Sequence, residues 1–561
     1  MKRKLNSIIY QIWPRSFKDT NNDGIGDING IIEKLSYLKA LNIDYLWISP
    51  LYCSPNTDYG YDVSDYYNIN SEFGTLDDLD RLISEAKKVD IGIIMDLVAN
   101  HTSTQHPWFI EALNDNQSPK RDYYFFRTTK NKKEPNNWIS IFGGSAWTKV
   151  NEDEYVLTLF TPHQADLNWE NKDVRDEIVR IMEFWIKKGV SGFRLDVINT
   201  ISKEEGLPSK NPKKKGYQFA DDYIINRPKA IEYAKEVIEE ARSKTKVDFL
   251  TIGEGMLMTQ EVAKEYSNIK NPICNMMIHF DLHMLGCGPL GKFDFRKGYK
   301  WRIQDLKEVV DKWQIDMQTN QYWMANYLSS HDQPRQVSRF GDDKKFVFES
   351  AKALALLNMT LLGTPIIYQG EEIGMTNSKF SMEDWRDYEA KNAYLVLQDM
   401  MHLPAFLAKQ IIMKMTRDHA RTPMQWNDQP FAGFSLVQPW IKVNHNYQTI
   451  NVQQQQNNPD SVLSFYKELT KFVQSTQINT LPIWKQSHVK HKHIIAYHRE
   501  DEAIKYLVII NLSNKMETFE NKLKTDKVEV VFNTYNKPPL ISLKMVLRPF
   551  EGIIIKDLSC D

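Results

Sequence analysis

Cysteine is scarce: 561 residues contain four, Cys53, Cys274, Cys287 and Cys560, with no Cys-x-x-Cys pair. That excludes a disulfide framework and a cysteine-bound zinc, and it implies free thiols in a reducing, cytoplasmic compartment. Net charge is also lacking, with 71 basic and 72 acidic residues giving −1. There is no whole-chain electrostatic case for a nucleic-acid partner or an anionic membrane. Long apolar runs are missing too. The start, MKRKLNSIIYQIWPRSF, is basic, but Trp13, Pro14 and Arg15 interrupt it before a signal-peptide core can form. The most apolar stretch, ALALLNMTLLGTPIIY (353–368), is broken by Asn358, Thr360, Gly363 and Pro365. It reads as a core helix, a turn and a strand, and no membrane span is expected.

What is present is a soluble globular composition, 42% hydrophobic and 25% charged, in a chain long enough for several domains or one large barrel. Short apolar runs ending in polar residues recur as YLWISP (45–50), IGIIMDLVANH (91–101), SGFRLDVIN (191–199), FLTIGE (249–254), MANYLSSHD (324–332) and TPIIYQGEE (364–372). Amphipathic stretches alternate with them. In NKDVRDEIVRIMEFWIKKG, Val174, Ile178, Ile181 and Trp185 fall at helical spacing, and Gly189 suits the C-terminal cap. The alternation predicts an α/β fold, a (β/α)₈ TIM barrel over residues 1–101 and 169–479. Residues 102–168, rich in aromatics, Asn and Pro, read as a small domain inserted after the third strand. A long segment, 378–452, follows TPIIYQGEE, and a helix at 461–473 completes the barrel. The β-type runs of 480–561 predict a C-terminal antiparallel β domain. Gln453 to Gln456 read as a solvated loop.

VSGFRLDVIN (190–199) places two charges inside a buried strand. Side chains alternate on a strand, so Arg194 and Asp196 share one face and Phe193, Leu195 and Val197 the other. In a barrel the charged face points inward, at the strand end where barrel enzymes place their chemistry. A structural ion pair is the bland alternative. Other strands end alike: Asp96, Asn100 and His101 close one, Glu254 another, His331 and Asp332 a third. Carboxylates, histidines and an arginine converging from four strands point to a polar ligand or a reaction.

These residues resemble the α-amylase family of glycoside hydrolases. DLVANH, GFRLDVIN, the Glu254 strand and SSHDQPR are similar to its four signature regions, and QADLNWEN (164–171), with Gln164, to its fifth. YGYDVSDY, FGGSAW, ISKEEGLP, RTPMQW and YQGEEIGMTN are similar to the branch of oligo-1,6-glucosidases, dextran glucosidases and trehalose-6-phosphate hydrolases. The resemblance implies Asp196 as nucleophile and Glu254 as acid/base, kept in opposite protonation states by their surroundings. It implies Asp332 on the sugar's 2- and 3-hydroxyls, with His101, His331 and Gln164 beside it. Tyr61 would stack on the glucose ring, Asp58 with Arg421 would clamp its non-reducing end, and Asp96 would anchor the rim. A closed pocket of this kind makes an exo-acting enzyme acting on small oligosaccharides.

DTNNDGIGD carries Asp19, Asn21, Asp23 and Asp27 at positions 1, 3, 5 and 9 of a calcium-loop pattern, with Gly24 at position 6. Gly30 stands where the bidentate glutamate belongs, so this is no EF-hand. The resemblance implies one structural Ca²⁺ (or Mg²⁺) with the Ile25 carbonyl as a further ligand; a metal-free Asx turn is the alternative. No organic cofactor is expected, and the enzyme is expected to act as a monomer. Val197, directly after the nucleophile, resembles the α-1,6-cleaving members and makes isomalto-oligosaccharides the expected substrate. Against that, QADLNWEN, Leu195 and the terminal LRPFE resemble trehalose-6-phosphate hydrolases. The lysines of SKNPKKKG (209–216) would receive a phosphate or form a solvated loop. Ser330 and Gly255 depart from the branch, where asparagine and methionine are usual. A non-catalytic relative of the transporter-subunit kind ranks last, because that kind carries a membrane anchor and loses carboxylates that are present here.

Overall fold

Runs apolar on both faces are expected to pair in a sheet covered by helices, and they do. The computed structural model describes residues 5–130, 133–288, 291–294, 300–487, 491–520 and 527–558. Its eight parallel strands are β1 (Ile9–Ile12), β2 (Tyr45–Ile48), β3 (Gly92–Leu97), β4 (Gly192–Leu195), β5 (Leu250–Gly255), β6 (Met276–His279), β7 (Ala325–Asn326) and β8 (Thr364–Tyr368). They pair in the order β6-β5-β4-β3-β2-β1-β8-β7. A parallel bridge from Met277 to Met324 joins β6 to β7 and closes the ring. The six runs expected from the sequence supply six strands. The other two are IYQI and MMIH. β7 is only two residues, so His331 and Asp332 lie in the loop beyond it.

Helices wrap the barrel where the pattern placed them. Lys172–Lys187 starts at Asn171, whose side chain accepts from the Asp173 N–H, and it buries Val174, Ile178, Ile181 and Trp185. Gly189, at φ +103°, turns the chain toward β4. Val347–Thr360 is buried on every side from Ser350 onward, because the barrel flanks one face and the C-terminal sheet the other. Of Gln453 to Gln456, read as a solvated loop, Gln453, Gln454 and Gln456 are exposed, but the segment is not wholly a loop. Val452–Gln455 is a helical turn, and Gln455 is buried, donating to the Ile373 carbonyl (2.8 Å) and accepting from the Leu463 N–H (3.1 Å). Isolated glutamines read as solvated because nothing local reveals a tertiary partner.

The chain leaves the barrel after β3 and returns beside its own exit, since His101–Ser103 pairs antiparallel with Gln164–Asp166. Between them Phe126–Thr128, Glu154–Leu157 and Trp147–Lys149 form a small antiparallel sheet. Trp138, Trp147, Leu157 and Phe160 share a core with Val197, Leu207, Ala220 and Ile224, so the loop after β4 packs on the insertion. At the C-terminus a five-stranded antiparallel sheet divides its residues by alternation. Ile495, Tyr497, Val508, Ile510 and Ile554 join the barrel core, while Ile494, Ala496, Ile509, Ile553 and Ile555 face Phe519, Met545 and Leu547. Among the described residues no helix is long and apolar enough to cross a membrane. Cys53 and Cys274 are free thiols, Cys287 is buried with its Sγ 3.8 Å from the His283 carbonyl, and Cys560 lies outside the described residues.

Candidate active site

Two buried guanidinium groups organise the rim. The first is Arg194 on β4, brought close to β5 because Gly192 offers no Cβ against the Leu250 backbone. Arg194 is fully buried, donates through Nη1 to Asp96 Oδ1 (2.6 Å) and Asp196 Oδ1 (2.7 Å), and pairs through Nη2 with Glu254 Oε1. One cation therefore serves carboxyl groups from β3, β4 and β5. Burial pushes the Asp196 carboxyl well above its ordinary range against the pull of Arg194, and the charges of Glu254, Asp96 and Asp332 add to the rise. Asp96 also accepts from Trp47 Nε1 (3.1 Å) and the Tyr61 hydroxyl (3.0 Å), so its oxygens are spent on the protein, as an anchoring role requires.

The second guanidinium is Arg417. It reaches Asp58 (3.2 Å), Asp332 (3.5 Å) and Asp387 (2.8 Å), which gathers the β2, β7 and β8 loops. The sequence reading sets Asp58 and Arg421 together at the sugar's non-reducing end; the ion pair of Asp58 itself is with Arg417. Arg421 instead reaches Asp332 (3.3 Å), donates to the His331 carbonyl (3.3 Å) and lies over the Trp13 ring (4.7 Å). Arg417 sits four residues earlier in TRDHAR, the spacing that shares a helix face, so a signal was present. Burial alone would raise the Asp332 carboxyl, but His331, Arg417 and Arg421 hold it well below its ordinary value.

The histidines are buried organisers. His331 Nδ1 accepts from the Gln11 amide (2.8 Å), which assigns the hydrogen to Nε2. Nε2 faces Asp332 Oδ2 (3.0 Å) and the Tyr61 hydroxyl (2.7 Å), and the ring lies parallel to those of Trp13 and Tyr61. Gln11 and Trp13 come from β1 and its end, which the sequence reading had not included. Burial lowers His101 to about 4, so it is neutral; its Nε2 meets the Tyr61 carbonyl (3.0 Å). Gln164 donates to that carbonyl (3.2 Å) and to Asp58 (3.4 Å). Behind this layer, Lys203 is buried on Asp166 (2.9 Å) and Asn100 (2.8 Å), tying the insertion to the barrel.

The 19–27 loop is a different construction. Asp19 accepts from the Asn22 and Gly24 N–H groups and from Ser435, Asp23 from Ile25 N–H and the Asn21 amide, and Asp27 from the Thr20 and Gly30 N–H groups. The oxygens are of the hard type that Ca²⁺ prefers. Their carboxylates do not converge, however, and among the described residues no three His, Cys, Asp or Glu side chains are grouped for a metal.

The family model for the α-amylase catalytic domain matches residues 11–480. The chain belongs to the α-amylase family of glycoside hydrolases. An oligo-1,6-glucosidase of Parageobacillus thermoglucosidasius is 44% identical, with 98% of each chain covered. A trehalose-6-phosphate hydrolase of Bacillus subtilis is 40% identical, covering 98% of this chain and 97% of that one. Among solved structures, a Bacillus licheniformis trehalose-6-phosphate hydrolase superposes with TM-score 0.91 at 38% identity, covering 98% and 99%. A Klebsiella isomaltulose synthase reaches 0.92 at 37%, covering 98% of both. In this α-amylase-family glycoside hydrolase two carboxyls, those of Asp196 and Glu254, share the Arg194 guanidinium, and retention is the chemistry that uses such a pair as nucleophile and acid/base.

Proposed function

We propose that the protein is an exo-acting α-glucosidase that releases terminal α-1,6-linked glucose from isomalto-oligosaccharides through a covalent glucosyl-enzyme. The observation that carries this is the pairing of Asp196 and Glu254 on one buried guanidinium, beside a second one that joins Asp58 to Asp332. Asp196 attacks the anomeric carbon while Glu254 protonates the departing glycosidic oxygen. Glu254, now a carboxylate, then takes a proton from the water that releases glucose. Asp332, held ionised by its arginines, accepts from the sugar hydroxyls, with Asp58, Tyr61, His101, Gln164, His331 and Arg421 shaping the pocket around Arg417.

A closed end supports exo action. Phe142 of the insertion lies over the Arg417 guanidinium (4.9 Å), and its carbonyl accepts from Asn392 of the segment after β8 (3.4 Å), so the two segments meet at the site. Val197 after the nucleophile and the oligo-1,6-glucosidase relatives favour the α-1,6 bond. A trehalose-6-phosphate hydrolase is the second reading, favoured by Lys213, Lys214 and Lys215, which are exposed on the loop after β4. Glucose release from isomaltose, isomaltotriose, maltose and trehalose 6-phosphate separates the two. Turnover of isomaltose with little from maltose supports the first; turnover of trehalose 6-phosphate alone overturns it.

We also propose that the oxygen donors of Asp19, Asn21, Asp23, Asp27 and the Ile25 carbonyl hold a structural Ca²⁺ (or Mg²⁺), supported by their spacing; in this geometry the carboxylates would have to turn from the loop's own amides. A cytoplasmic location is supported by the free thiols. The enzyme is proposed to act as a monomer.

A further inference from the structure

We propose that Thr200 is a positioning residue for the acid/base, acting through a strained main-chain turn at Val197. The inference rests on Glu254 being the acid/base. Val197 follows the nucleophile and adopts φ +36°, ψ 43°, the left-handed region. A β-branched side chain is a true outlier there, and such strain persists only where the surroundings over-determine it.

Those surroundings are specific. The Val197 carbonyl accepts from both the Thr200 N–H (2.9 Å) and the Thr200 hydroxyl (2.8 Å). That hydroxyl is also 3.0 Å from Asn100 Oδ1, on which Lys203 is anchored. The Val197 side chain is buried in the core of the insertion beside Leu207 and Ala220. What the turn achieves is the direction of one donor, since the Val197 N–H points across to β5 and donates to Glu254 Oε2 (3.1 Å). Asn199 fastens the same two strand ends, its amide accepting from the Met256 N–H (3.1 Å) and donating to the Met256 carbonyl (2.7 Å).

Glu254 is thus held at Oε1 by Arg194 and at Oε2 by a main-chain N–H that exists in that direction only while Val197 is kept left-handed. A donor on a carboxylate favours its ionised form. The Val197 N–H also keeps the Glu254 carboxyl aimed at the leaving oxygen in the first step and at the attacking water in the second. Thr200 touches neither substrate nor Glu254; it holds the turn.

The test compares Thr200→Val, which keeps shape and loses the hydroxyl, with Thr200→Ser, which keeps it. The pH dependence of kcat/KM is followed on isomaltose and on an aryl α-glucoside whose leaving group needs little protonation. Thr200→Val is expected to lose roughly tenfold on isomaltose, a share of the roughly 10²–10⁴-fold that general acid catalysis supplies. It should change little on the aryl substrate and move the alkaline limb of the profile to higher pH, with Thr200→Ser near wild type. Equal losses on both substrates, an unmoved limb, or a serine variant as impaired as the valine one overturns the inference. Thr200→Ala takes the place of Thr200→Val if the latter does not fold. Glu254→Gln separates the two levels: if it keeps isomaltose turnover the acid/base reading fails, whereas a null result confined to Thr200 sinks only the positioning role.

Discussion

The rim at the top of the barrel and the 19–27 loop are both clusters of aspartates, and they are built in opposite ways. On the rim, Asp58, Asp96, Asp196, Glu254 and Asp332 come from five places in the chain and meet the buried guanidinium groups of Arg194, Arg417 and Arg421. In the loop, Asp19, Asp23 and Asp27 satisfy amides within a few residues of themselves. A carboxylate answered by local N–H groups finishes a turn. Carboxylates gathered over long sequence distances around too few cations keep unspent acid–base capacity, and that capacity is what a glycosidase uses.

The largest expected effect breaks the comparison at its centre. Asp196→Asn should lower kcat on the substrate the enzyme turns over by at least about 10⁴-fold while leaving the fold intact, because the nucleophile and its partners act as one unit. Ordinary turnover by that variant would remove the rim from the chemistry.

Next is Arg417→Met, which takes from Asp58 and Asp387 the guanidinium they share and leaves Asp332 with the guanidinium of Arg421 alone. Breaking a buried charge network by removing one partner costs about 3–5 kcal/mol. The Asp332 and Asp387 carboxyls are depressed, against burial, by His331 and the arginines in the first case and chiefly by Arg417 in the second. A depressed carboxyl contributes stability above its unfolded pKa, about 4, and that contribution is lost as pH falls through the folded value. The stability gap between wild type and variant, read by denaturant titration, should therefore narrow below about pH 4. A gap independent of pH would show that Arg417 only fills space.

Behind the rim, Glu371 sharpens the contrast from the other side. Burial raises it to about 8, against hydrogen bonds from the Ser329 hydroxyl and the Tyr368 backbone. A carboxyl raised by folding leaves the protein most stable below the unfolded pKa, with stability falling as pH rises toward 8. Glu371→Gln should accordingly gain on wild type between pH 5 and 8, by a few kcal/mol at most, measured as unfolding free energy at each pH. The smallest effect belongs to the loop. Millimolar Ca²⁺ should raise the wild-type Tm by a few degrees through simple linkage, Asp23→Asn should lose that rise, and chelation should leave turnover unchanged. A chelator that abolishes turnover would make the loop part of the site.

Much of this was legible in the chain. Alternation on VSGFRLDVIN placed Arg194 beside Asp196, and polar residues at the ends of four apolar runs marked one rim, because strand geometry has a period of two and barrels expose one end. Two strands, IYQI and MMIH, escaped notice, and Gln11 and Trp13 went with the first of them. Pairings across the barrel were beyond reach: Arg417 and Arg421 share a helix face, and only the packed loops decide which meets Asp58. The buried Gln455 was invisible for the same reason.

The sequence by itself determined the barrel, the inserted and C-terminal β segments, and the identity of the groups that converge, since these follow from hydrophobic period and local turn chemistry. Tertiary structure alone decided how three carboxyl groups share Arg194, which arginine holds Asp58, and that Val197 turns left-handed to face Glu254. Those are consequences of burial and close approach between segments far apart in the chain, where a charge's partner is set by packing and not by its neighbours in sequence.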